Sequence, residues 1–247
     1  MRLFLTSSPC TEGAPDGVDL PFLWREENGF ARRLMESLPA AGRAVMIAAW
    51  PEDHERNDRM AWEFAEATRF AGFGLSGMTM VDSRNGRQLP RLLQDCALVL
   101  LSGGHVPTQN RFFQRIGLRE ALRGFDGTVV GISAGTMNAA SCVYAQPEEA
   151  GEALDPGFQR FLPGLGLTDF QILPHLNRER YSRVDGLRLF EDISIPDSAG
   201  HRFYALPDGS YILQEHGSAL LCGEAWLLEN ASMTFLQPDG AESALPC

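Results

Sequence analysis

The chain has little cysteine, and its arrangement argues against cross-linking and against structural metal. Cys10, Cys96, Cys142, Cys222 and Cys247 make an odd number with no C-x-x-C spacing, so neither a disulfide scaffold nor a structural zinc site is expected, and reduced thiols are. Long apolar runs are missing as well. The longest, 44–50 and 96–101, have the length of buried strands and fall far short of the roughly 20 residues that span a bilayer, so no membrane partner is expected. The first eight residues hold too short an apolar run for a secretory signal, and a cytoplasmic protein is the expectation. No dense cluster of basic residues interleaved with aromatics occurs, and the net charge is −11. Such a surface repels a polyanion, which removes nucleic acid from the expected partners. Low-complexity tracts, internal repeats and long linkers are absent too, and residues 1–247 read as a single α/β domain.

The remainder is an ordinary globular composition, 44% apolar and 21% charged, in which short apolar runs alternate with longer amphipathic ones. Strands are predicted over 2–6, 43–49, 75–81, 97–101 and 127–132. Helices are predicted over 30–38, 58–71, 89–94, 109–123 and 134–142. Strands separated by helices imply a mostly parallel sheet, doubly wound in three layers. From residue 203 onward the texture changes to five short strand-like runs, 203–206, 211–214, 219–222, 225–229 and 233–236. The turn signals Pro207-Asp208-Gly209-Ser210 and Pro238-Asp239-Gly240 punctuate them, so C-terminal β-hairpins are added to the core.

Chemistry concentrates at Gly131-Ile132-Ser133-Ala134-Gly135. This G-x-S-x-G follows a β-branched strand and opens a small-residue helix, the context of a nucleophile elbow. A serine there stands on a strained turn, and side chains at the flanking glycines would collide with the neighbouring strand or helix. The helix start aims the Ala134 amide at the reaction centre, where it can hold an oxyanion. A phosphate-binding turn competes for such a string, but the P-loop lysine is absent. A second oxyanion donor is expected from Gly103 or Gly104, which follow the strand at 97–101 and let backbone approach a substrate closely.

Serine needs a base. Of the five histidines, His54 lies in a charged stretch read as an exposed loop. His105 sits in the glycine turn, His201 in a polar turn and His216 between two short strands. His175, in Leu173-Pro174-His175, ends a predicted buried strand, where doubly wound sheets assemble their sites. His175 is therefore the expected base and His105 a substrate contact or structural residue. Glu148, Glu149 and Asp155 all lie between serine and histidine as candidates for the orienting acid.

The elbow with Asn138, the strand-Gly103-Gly104 turn before it and Leu173-Pro174-His175 after it together resemble the peptidase E (aspartyl dipeptidase) and cyanophycinase family of serine peptidases. The resemblance spans roughly residues 1–235. It implies a class I glutamine amidotransferase-like fold, flavodoxin-like in its winding, with Ser133 as nucleophile, His175 as base, and Gly104 and Ala134 as oxyanion hole. Glu148 is the acid nearest the family's spacing. The region Gly103, His105, Gln109 would shape the substrate pocket, and Arg178 or Arg180 is suited to a substrate carboxylate. The implied reaction is hydrolysis of a peptide or isopeptide bond in small, Asp-containing peptides, without metal or organic cofactor, by a monomer or homodimer. Two rival readings are an α/β-hydrolase esterase, whose base would be His201 or His216, and a non-catalytic amidotransferase-like binding module. The interval of 42 residues from Ser133 to His175 is short for the esterase fold.

Overall fold

The computed structural model describes residues 1–246; Cys247 lies outside the described residues. Five strands form the centre: β1 (Arg2–Thr6), β2 (Gly42–Ile47), β4 (Cys96–Leu101) and β5 (Thr128–Ile132), largely buried, and the edge strand β3 (Leu75–Val81), buried only at its end. They run parallel in the order β1-β5-β4-β2-β3. Continuous apolar strings such as Val99-Leu100-Leu101 and Val129-Val130 suit strands covered by helices on both sides. The crossovers carry α1 (Phe30–Glu36), α2 (His54–Phe70), α3 (Leu89–Leu92), α4 (Val106–Arg115) and α5 (Leu118–Ala121), and α6 (Ala134–Ala139) leaves β5. Phe30, Leu34, Phe64, Phe112 and Phe113 from these helices join Leu3, Phe4, Met46, Val99 and Val129 in one large core.

All five expected helices have different limits, and three of the differences have a local cause. Helix α2 starts at His54 rather than residue 58, because Asp53 caps it by accepting the Arg56 amide at 3.2 Å. His54 is thus helical, not in a loop. The helix expected over 109–123 is two, parted at Gly117, which adopts φ +63°. The helix after Ser133 ends at Ala139 because Ala140 is already extended.

Beyond α6 the chain forms the antiparallel pair β6 (Cys142–Tyr144) and β7 (Phe161–Pro163), then β8 (Gln171–Leu173) and α7 (Leu176–Glu179). The hairpin of β9 (Arg183–Val184) and β10 (Leu187–Arg188) and the short α8 (Ile195–Asp197) come next. The remaining strands are β11 (Arg202–Ala205), β12 (Tyr211–Glu215), β13 (Ser218–Cys222), β14 (Ala225–Glu229), β15 (Ser232–Gln237) and β16 (Glu242–Leu245). The C-terminal strands divide between two sheets. Strands β12, β13 and β16 extend the large sheet antiparallel from β1, whereas β11, β14 and β15 join β8 in a second sheet of order β15-β14-β11-β8. In that sheet β8 and β11 are parallel neighbours, with Leu173 opposite Ala205. A smaller core, including Val106, Met137, Leu173, Phe203 and Leu228, packs the second sheet against α4 and α6.

Candidate active site

Strand β5 ends at Ile132 and α6 begins at Ala134, leaving Ser133 alone on the turn with φ 50° and ψ −113°. That backbone is costly for any residue with a side chain, and its surroundings enforce it. A Cβ on Gly131 would lie 2.6 Å from the Thr136 Cα, and one on Gly135 would run into the Leu101 carbonyl of β4. Both flanking glycines are therefore required by close approach, as the sequence implied. Thr136 Oγ1 accepts the Thr6 amide at 3.0 Å and donates to the Thr6 carbonyl at 2.8 Å, lacing the start of α6 to the end of β1. The Ser133 amide donates to the carbonyls of Ser7 and Thr6 at 3.0 and 3.2 Å.

His175 follows β8 in a left-handed conformation, φ 56°, which turns its ring toward the elbow. Its Nε2 lies 2.9 Å from Ser133 Oγ. Its Nδ1 lies 2.6 Å from Asp208 Oδ1. Asp208 is in the Pro207-Asp208-Gly209-Ser210 turn that leaves β11, the parallel neighbour of β8, so histidine and acid emerge side by side from one end of the small sheet. Burial alone would push the Asp208 carboxyl up. Hydrogen bonding and charge from His175, the Ser7 hydroxyl and the charge of Arg178 outweigh that and hold it below the usual carboxylate range.

The residue expected in this place, Glu148, is elsewhere. The candidates Glu148, Glu149 and Asp155 lie between serine and histidine in the chain, whereas the carboxylate that reaches the imidazole comes after both. Glu148 lies on the exposed wall of a cavity of about 620 Å³ beside Ser133 and His175. Its carboxyl is pushed up to about 8, first by desolvation within the concavity and then by the charges of Glu152, Glu179 and Glu149. Glu149 lines the same cavity. Asp155 lies farther along the loop, where it accepts the Gly157 amide at 2.8 Å.

Gly103, Gly104, His105 and Arg178 line the cavity. Gly104 passes so close to its neighbours that a Cβ would lie 2.6 Å from Ala49 Cβ and 2.8 Å from Trp50 Nε1. Ala134 is the first residue of α6, directly after Ser133. His105 is braced rather than free. It stacks on Trp50, and its ring nitrogens lie 2.8 Å from Thr108 Oγ1 and 2.8 Å from Glu152 Oε1. Gln109, expected as a substrate contact, is wholly buried. Its amide donates to the Ser102 carbonyl at 2.7 Å and its oxygen accepts from Asn138 at 3.0 Å. It supports the glycine turn from beneath, because it sits on the inward face of α4. Arg180 stacks over Trp226 at 4.6 Å instead of facing the cavity. The cations that do line it with Arg178 are Arg56 and Arg183.

His105, Glu149 and Glu152 form the one trio of possible metal ligands found among the described residues. Glu152 is already committed, accepting the amides of Glu148 and Glu149 at 2.9 and 3.0 Å as well as facing His105. The trio therefore reads as the brace of the 146–158 loop. His201, stacked on Phe161 at 4.1 Å, and His216, in the turn between β12 and β13, do not reach Ser133. The chain contains no lysine, all 21 basic residues being arginine, so no lysine can serve as base. Among the described residues no helix is long and apolar enough to cross a membrane.

No protein-family model matches the chain, and no curated protein matches its sequence. Solved structures do match its fold. A peptidase from an acI-B1 actinobacterium superposes with a TM-score of 0.64 at 14% identity, over 99% of this chain and 96% of that one. A candidate peptidase E from Listeria monocytogenes EGD-e superposes with a TM-score of 0.57 at 16% identity, over 96% of this chain and 98% of that one. The α/β architecture, with a mostly parallel central sheet and antiparallel C-terminal strands, is thus one found in peptidases.

Proposed function

We propose that the protein is a serine peptidase that cleaves small peptides through an acyl-enzyme on Ser133. The observation that carries this reading is the unbroken line from Ser133 Oγ through the His175 ring to Asp208 Oδ1, 2.9 and 2.6 Å, at a strained elbow open to a cavity. The geometry suits one sequence of steps. His175 Nε2 takes the Ser133 proton as Oγ attacks the peptide carbonyl. Asp208 holds the imidazole in the right tautomer and offsets its positive charge. The amides of Gly104 and Ala134 receive the oxyanion. His175 then returns the proton to the leaving amine, and a water activated by His175 cleaves the ester.

The substrates we infer are short peptides with an acidic, Asp-like residue. Arg56, Arg178 and Arg183 line the cavity together with Glu148, Glu149 and Glu179, and it is the arginines, whose guanidinium binds carboxylate in bidentate fashion, that suit an acidic group. The cavity suits a few residues rather than a folded chain. A peptide library that includes Asp-X and isoaspartyl dipeptides tests this, with Ser133→Ala as control. Release of free amino acids by the parent protein alone is the expected result. Hydrolysis that persists in Ser133→Ala contradicts the reading.

A further inference from the structure

We propose that Ser7 is a positioning residue that holds the nucleophile, histidine and acid in register, making the centre an assembly of four residues. The inference rests on the serine-peptidase reading. Ser7 directly follows β1 and is fully buried. Its carbonyl accepts the Ser133 amide at 3.0 Å. Its hydroxyl accepts the His175 amide at 2.7 Å and donates to Asp208 Oδ1 at 2.7 Å. One residue therefore binds the backbone of Ser133 and of His175 and the carboxylate of Asp208.

The fold gives this position its importance. Ser133 leaves the large sheet, whereas His175 and Asp208 leave the small one, and among the described residues no strand ladder joins the two sheets. The spacing between serine and imidazole depends on whatever bridges them. Ser7 lies just past the end of β1, the sheet neighbour of β5. Backbone bonds from the Ser7 amide to the Ser210 carbonyl and from the Gly209 amide to the Ser8 carbonyl tie the Asp208 turn to this segment. The Ser7 hydroxyl adds a side-chain link to both His175 and Asp208. A hydroxyl can accept and donate at once, which suits it to join a backbone N–H to a carboxylate. It donates to the same Asp208 oxygen that His175 uses, so it limits rotation of that carboxylate away from the ring. A methyl group in its place leaves the His175 amide unpaired and gives Asp208 one donor fewer.

The test is the second-order rate of Ser133 labelling by a fluorophosphonate, read by intact mass on the full chain, with melting temperatures in parallel. Ser7→Ala should slow labelling about 10- to 100-fold, the usual scale for losing an outer partner that orients a reactive group. Ser7→Cys keeps the side-chain shape with a slightly larger atom but donates weakly, and should be slowed similarly. In an Asp208→Asn background, Ser7→Ala should add less than about twofold, because groups acting as a unit are not additive. Labelling of Ser7→Cys at the parental rate would assign Ser7 to packing and overturn the proposal, as would full multiplication of the two losses. If Ser7→Ala does not fold, Ser7→Cys decides. A parent protein that takes no label overturns the peptidase reading and this inference with it, whereas a labelled parent with indifferent Ser7 variants removes only this inference.

Discussion

His175 and Asp208 meet at 2.6 Å because they leave the carboxyl ends of adjacent parallel strands, β8 and β11, although 33 residues separate them in sequence. Asp208→Asn should lower kcat by about 10³- to 10⁴-fold with little change in KM, the scale seen when a triad acid loses its charge. Glu148→Gln should stay within a few-fold of the parent. Steady-state kinetics on the two variants separates the acid indicated by the geometry from the one expected from the sequence; the reverse ranking would return the role to Glu148.

The Glu148 carboxyl also makes stability depend on pH in a definite direction. Its value is about 8 in the fold against an ordinary 4.5. Between those values the native state keeps a proton that the unfolded chain has released. Stability from this group is therefore complete below about 4.5 and declines as pH rises toward about 8. Glu148→Gln should melt with the parent near pH 4 and above it at pH 8.5, by an amount reduced by the exposure of this side chain to solvent. Thermal melts across that range check the prediction, and parallel curves for the two proteins would refute it.

Gly135 carries the close approach of α6 to β4. Gly135→Ala should cost about 3 kcal/mol or more, or prevent folding, because the new methyl meets backbone that cannot move aside. Gly13→Ala, where nothing lies within 4 Å, should stay within about 0.5 kcal/mol. Urea denaturation of the pair measures the difference.

Arg178→Ala should raise KM for acidic dipeptides about tenfold or more while sparing kcat, because a hydrogen-bonded charge pair with substrate is lost. The same variant should handle an uncharged dipeptide ester like the parent. Equal losses on both substrates would move Arg178 out of the binding role.

Much of this was legible in the sequence because it rests on local pattern. The five parallel strands, the elbow and His175 each follow from a buried run and the residues that end it. Asp208 was legible only as a turn former in Pro207-Asp208-Gly209-Ser210. Its second role depends on β11 pairing with β8, a long-range contact that no local periodicity encodes. Ser7 was hidden for the same reason, since its partners lie 126, 168 and 201 residues away. Gln109 misled in the opposite way. Its place after the glycine turn suggests a pocket, but helix α4 rotates it inward onto Ser102 and Asn138.

The central claim is that Ser133 is the nucleophile, and the most direct measurement of it is mass mapping of the protein after exposure to a fluorophosphonate. The account predicts a single stoichiometric adduct on the peptide carrying Ser133, lost in Ser133→Ala and strongly slowed in His175→Ala. No adduct, or an adduct that persists in Ser133→Ala, would contradict it.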